Sequence, residues 1–173
     1  FPTRRSSDLP TEGAMIVAAA KGGYRRDELE QTLPRIQEIP FDSERKRMAT
    51  IHRVAGPQAQ ALVARLGAAP LVAFVKGAPD VVLDLCGQRL EDGTAISLTP
   101  EMREAILAQN RDMASKALRV LAVACRPMQE VPSSISPETV EKELVFVGLL
   151  GMIDPPRPEV IEALKVARGA GLK

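Results

Sequence analysis

Leu71-Val72-Ala73-Phe74-Val75-Lys76-Gly77-Ala78-Pro79-Asp80 reads as a strand handing over to a helix. Its first five residues are apolar, and their branched and aromatic side chains fit a pleated surface, so they are expected to form a buried strand. Lys76 follows at once. Gly77 permits a close or left-handed backbone, and Pro79 suits the first turn of a helix expected over residues 80–86. A cation beside the free N–H groups of a helix start makes a generic seat for an anion. Junctions of this kind are common and identify nothing alone.

Upstream, residues 35–54 are short extended pieces: Ile36, Glu38, Ile39-Pro40-Phe41, and then residues 48–54, separated by the charged turn Asp42-Ser43-Glu44-Arg45-Lys46-Arg47. Gly56-Pro57 breaks the second strand, and residues 58–66 carry Ala61, Leu62 and Leu66 at helical spacing. Earlier still, Pro10-Thr11-Glu12-Gly13 starts a helix through residue 20 that Gly22-Gly23 ends, and a polar helix over 26–33 stops at Pro34. Residues 1–9 have no periodicity and read as a non-native leader outside the fold.

Downstream, residues 89–96 form a hairpin around Asp92-Gly93. Thr99-Pro100 caps the longest helix, residues 100–117, with Met102, Ile106, Met113 and Ala117 on one face. Residues 119–126 read as a central strand, 126–136 as a surface loop, and Ser136-Pro137-Glu138 as the start of a short polar helix. Residues 144–153 are almost all apolar and suggest a strand buried on both faces, as in parallel sheets. Asp154-Pro155-Pro156-Arg157-Pro158 is a rigid extended connector, and a helix over 159–170 ends at Gly171. A β-α unit then demands another strand, so the chain is expected to be cut from a longer protein. The element order predicts an α+β fold, an antiparallel β-sheet flanked by helices, followed by the first β-α unit of an α/β domain.

Composition excludes several classes of function. Twenty-three basic residues against 22 acidic leave no charge excess for a nucleic-acid surface, and 3% aromatic content with no tryptophan provides no base-stacking platform. Cys86, Cys125 and His52 lack metal-ligand spacing, so no metal site is expected, and both thiols are expected reduced and buried. No run approaches the roughly 20 apolar residues needed to span a bilayer.

Four stretches share one pattern. Pro10-Thr11-Glu12-Gly13-Ala14, Pro40-Phe41-Asp42-Ser43-Glu44-Arg45-Lys46-Arg47-Met48, Val75-Lys76-Gly77-Ala78-Pro79-Asp80 and Leu118-Arg119-Val120-Leu121-Ala122 resemble, in order and spacing, the nucleotide-binding domain of P-type cation-transporting ATPases. The calcium-pump-like branch is nearest in wording. Asp154-Pro155-Pro156-Arg157 resembles the hinge by which that domain returns to the phosphorylation domain. The family usually has Asp before the Pro-Thr-Glu-Gly run, where this chain has Leu9. Its Asp-Lys-Thr-Gly-Thr phosphorylation sequence is absent, so no catalytic residue is expected in this fragment. The resemblance divides the chain into a leader (1–9), a nucleotide-binding domain (10–153), and a hinge with the start of the phosphorylation domain (154–173).

The resemblance also implies roles. Phe41, which by residue type alone reads as core, would stack on adenine. Glu12, otherwise a helix-dipole partner, would accept from the exocyclic amine of the base. Lys76 would line the pocket wall, with Gly77 letting the ligand approach the backbone. Arg119 would fork a phosphate, and Lys46 sits in a charge run that is either a phosphate contact or a solvated turn. Ser43, Arg45 and Met48 follow as second-rank candidates. The implied ligands are ATP and Mg2+ arriving with its phosphates. The implied partners are the phosphorylation and actuator domains of the same polypeptide, with no nucleic acid, and a membrane reached only through helices outside this stretch. Such a domain would lie at the cytoplasmic face. Two other readings stay open: a stand-alone nucleotide-sensing module, and a structural α+β domain without a ligand.

Overall fold

The computed structural model describes residues 10–153, 160 and 166–170. The leader expected over 1–9, the hinge residues Asp154, Pro155, Pro156 and Arg157, and most of the expected last helix lie outside the described residues.

Within residues 10–153 the elements follow in the order α1 (Pro10–Lys21), α2 (Arg26–Thr32), β1 (Arg35–Asp42), β2 (Arg47–Arg53), α3 (Gly56–Gly67), β3 (Leu71–Gly77), α4 (Pro79–Asp84), β4 (Cys86–Glu91), β5 (Thr94–Ser97), α5 (Pro100–Ser115), β6 (Arg119–Met128), α6 (Pro137–Val140) and β7 (Leu144–Met152). The strands form one sheet in the order β1-β2-β3-β6-β7-β4-β5. Every pairing is antiparallel except β4 with β7. This bears out an α+β architecture built on a mostly antiparallel sheet.

Strand alternation sorts the core into two layers. Ala49 and Ile51 of β2, Ala73 and Val75 of β3, and Ala122 and Ala124 of β6 face Val82 and Leu83 of α4, Ile106 of α5 and Val140 of α6. Val72, Cys125 and Val145 face the other way, onto Ala59 and Val63 of α3. Leu71 to Gly77 is thus an interior strand, paired along its whole length with β2 on one side and β6 on the other.

Several boundaries differ from expectation, each for a pairing reason. Helix α4 ends at Asp84 rather than at residue 86, because Leu144 N–H bonds to the Leu85 carbonyl and Cys86 joins β7 in a parallel ladder. Strand β6 runs on through Pro127 to Met128, where a loop was expected, since Met128 sits opposite Leu71. Helix α5 stops at Ser115, and Ala117 leaves it with φ 56°, the left-handed turn that ends many helices. Strand β7 is not buried throughout. Leu144, Val145 and Phe146 are buried, but β4 pairs with it no further than Phe146, and Val147 is exposed.

Both cysteines are buried and free. Burial pushes the Cys86 thiol up to about 12 and that of Cys125 to about 11, so neither forms the reactive thiolate near neutral pH.

Candidate functional site

On the α3 side of the sheet, the even residues of β2 and β3 run on past the core into an open cleft. Met48, Thr50 and His52 line it from β2, Phe74 and Lys76 from β3, and Val123 from β6. Helices α1 and α2 supply the opposite wall through Glu12, Met15 and Arg26, joined by Leu33 just past the end of α2. The larger of its two adjoining chambers measures about 740 Å3, room for a compact organic ligand.

A charged contact across the cleft joins helix to sheet. Lys76 Nζ donates to Glu12 Oε1 at 2.9 Å, and both side chains are largely shielded. The anion beside Lys76 is therefore a carboxylate of the same chain rather than a guest at the six-residue helix α4. Glu12 Oε1 is occupied by this bond, which leaves Oε2 able to accept from an incoming amine.

His52 also lines the cleft, from the interior strand β2. Its Nδ1 lies 2.8 Å from the Leu33 carbonyl, which can only accept, so Nδ1 carries the proton and Nε2 accepts from the Thr50 hydroxyl at 2.9 Å. The ring meets Phe74 edge-on, with centroids 5.4 Å apart. Burial holds the His52 pKa below its ordinary 6.5, and the Leu33 bond opposes part of that shift. The unfolded chain therefore takes up this proton first. The contribution of His52 to stability is complete above the unfolded value and is lost as pH falls below it. In urea titrations between roughly pH 7.5 and 5.5, the wild-type midpoint should fall, and His52→Gln should flatten that dependence. Equal slopes for the two proteins would refute this assignment.

Phe41, Ser43, Arg45 and Lys46 lie on the hairpin between β1 and β2. Asp42 Oδ1 accepts from the backbone N–H groups of Glu44 and Arg45, Lys46 N–H returns to the Asp42 carbonyl, and Lys46 itself adopts φ 52°. This is a self-capping turn of the kind that Asp nucleates. Pro40 is tolerated because β1 is an edge strand, and a bulge between Ile39 and Asp42 uncouples the facing of Phe41 from that of buried Ile39. Phe41 is 62% exposed. The Lys46 carbonyl accepts from Ala78 N–H, which ties the turn to the Lys76-Gly77 stretch.

Glu12, Met48 and Lys76 are thus brought together on the cleft wall, whereas Phe41, Ser43, Arg45, Lys46, Gly77 and Arg119 are not among its lining residues. A Cβ at Gly77 would come within 2.5 Å of the Lys46 carbonyl and of Arg47 Cβ, so the chain's own packing already requires glycine there. Arg45 commits its guanidinium to Glu141 and to the Pro40 carbonyl. Arg119 is exposed at the start of β6. It lies four residues from Val123, the partner of Lys76, hence on the same sheet face and roughly 13 Å along it. Phe74, Thr50 and His52 were missed by sequence reasoning, although stepping back by twos from Lys76 and forward from Met48 reaches them. Among the described residues no three His, Cys, Asp or Glu are gathered to hold a metal ion.

Comparison with known proteins gives this geometry a family. Residues 2–159 match the model of the family described as P-type ATPase, cytoplasmic domain N. The chain is 40% identical over 164 residues to calcium-transporting ATPase 1 of Lactococcus lactis, and 41% identical over 166 residues to the calcium-transporting ATPase of Bacillus subtilis. It is 36% identical over 165 residues to cation-transporting ATPase pma1 of Synechocystis. Each alignment covers 95% of this chain but only 16–17% of the relative, so the chain spans about a sixth of the length of these proteins.

Proposed function

From the premise that this chain belongs to the P-type ATPase cytoplasmic domain N family, we propose that it is the ATP-holding part of a calcium-pump-like cation transporter. In this reading it grips the nucleotide by its adenine end, so that domain closure presents the γ-phosphate to an Asp elsewhere in the polypeptide. The observation that carries the reading is the Glu12–Lys76 pair on the wall of a largely apolar cleft, flanked by the Phe41–Lys46 hairpin.

The roles proposed are those that the family resemblance implies. Glu12 Oε2 accepts from the adenine amine, Lys76 and Met48 form the wall, and exposed Phe41 supplies a ring for the base to stack upon. In this reading Arg119, on the same sheet face and displaced toward the Gly77 end, takes the phosphates, and exposed Lys46 of the β1–β2 turn is a second candidate for them. In this reading magnesium arrives with the phosphates. The hinge reading of Asp154 to Arg157, the division at 153, and a position at the cytoplasmic face of a membrane complete the proposal by family analogy. Two of the relatives are named for calcium, which favours that cation.

An NMR titration of the 173-residue chain with ATP tests the reading. The expected result is weak, saturable binding without magnesium, with the largest amide shifts around Lys76, Met48, Phe41 and Arg119. A well-folded chain whose spectrum ignores ATP at millimolar concentration would overturn it in favour of a structural domain.

A further inference from the structure

We propose that Glu141 is a positioning residue for the nucleotide site, acting through the hairpin that carries Phe41 and Lys46. This rests on the nucleotide reading above. Among the described residues Glu141 is the one buried charged residue, and its side chain is fully shielded from solvent. It follows the short helix α6, and its own N–H is bonded to the Pro137 carbonyl. Helix α6 is tethered in turn to β6, because Arg126 Nη1 donates to the Thr139 carbonyl at 2.8 Å. The carboxylate is therefore delivered from the centre of the sheet on a fixed mount.

From there it reaches two residues nearly a hundred positions earlier in the chain. Arg45 Nη1 donates to both carboxylate oxygens, at 2.6 and 2.7 Å, and Arg47 Nε donates to Oε2 at 2.6 Å. Arg45 Nη2 also holds the Pro40 carbonyl, on the residue before Phe41. The two arginines bracket Lys46, whose own carbonyl is fixed by Ala78 N–H. One buried carboxylate thus sets the backbone on both sides of the pair Phe41 and Lys46, at the sheet edge where β1 has no second neighbour among the described residues.

Stability alone does not account for this arrangement. Burying a carboxylate is costly, and its ion pairs usually do little more than offset the desolvation. What three charge-assisted bonds supply is geometry. A binding turn held by packing and bonding from behind keeps its side chains in register for the ligand. Neither Arg45 nor Arg47 then needs to touch the nucleotide for its loss to weaken binding.

The test measures ATP affinity and melting temperature together on the full chain, for wild type, Glu141→Gln, Glu141→Asp and Val140→Ala. Val140 is fully buried on α6 next to Glu141 and has no part in the proposed site, so Val140→Ala reports destabilisation alone. Glu141→Gln should weaken ATP binding about tenfold and move the amide shifts of Phe41 and Lys46 even before ATP is added. Glu141→Asp should restore part of the affinity, and Val140→Ala should melt earlier yet bind as wild type does. If Glu141→Gln does not fold, Arg47→Gln removes one bond of the three and should still weaken ATP binding about threefold. Affinity within twofold of wild type in a folded Glu141→Gln or Arg47→Gln, or an equal loss in Val140→Ala, would overturn the positioning role. A wild-type chain that ignores ATP would instead overturn the nucleotide reading itself, so the two failures are separable.

Discussion

Gly77→Ala should destabilise the domain by about 3 kcal/mol, lowering the melting temperature by roughly 6–12 °C in a chain of this size. The added methyl group would sit 2.5 Å from the Lys46 carbonyl oxygen and from Arg47 Cβ, distances that real Cβ atoms do not reach. Ordinarily a backbone would shift to relieve such a contact. Here Gly77 is paired with Arg47 in one ladder and with Ala122 in the other, so it has no free side toward which to move. The Arg47 side cannot yield freely either, because Glu141 holds its guanidinium and Ala78 N–H holds the Lys46 carbonyl. The strain should therefore fall on the Lys46–Ala78 bond, loosening the turn beside the cleft. Thermal unfolding followed by circular dichroism reads the effect. A melting temperature within about 2 °C of wild type would mean that the turn moves away freely, contrary to the bonding described.

How far the sequence revealed this fold depended on the range of the interactions involved. Strands β2, β3 and β6 and helices α1, α3 and α5 announce themselves through local signals: branched apolar runs, Thr99-Pro100 as a cap, Gly22-Gly23 as a stop. Their boundaries failed where a distant partner intervened. Cys86 continues a helical run in the sequence, and only its parallel pairing with Leu144 converts it to a strand. Likewise, an apolar run such as residues 144–153 cannot tell a strand covered along its length from one that outruns its neighbour after Phe146. The site divides in the same way. Lys76, Met48 and Glu12 were all reached by resemblance, because alternation within a strand cannot set the register that puts Met48 opposite Lys76. Glu141 was invisible, because nothing in a polar segment distinguishes a solvated glutamate from one enclosed by two arginines 94 and 96 residues away.

Phe41→Ala should weaken ATP binding roughly 10- to 100-fold, the loss of about 1–3 kcal/mol of base stacking, while leaving the fold intact. The two parts of that expectation come from one fact: Phe41 is 62% exposed. A phenylalanine in the core would unfold the domain when truncated, at a cost of about 3–5 kcal/mol. An exposed ring on an edge strand contributes little to packing, and the Arg45 bond to the Pro40 carbonyl holds the neighbouring backbone without it. Its melting temperature should therefore stay within about 2 °C of wild type, and Phe41→Tyr, which keeps the ring, should bind nearly as wild type does. Lys76→Ala makes a useful contrast, because it also strips Glu12 of its partner inside a partly shielded cleft, so affinity and stability should fall together. Calorimetric titration with ATP alongside thermal melts separates the cases. If Phe41→Ala binds ATP as wild type does, the base stacks elsewhere, and the ring already facing the cleft, Phe74, becomes the surface to test next.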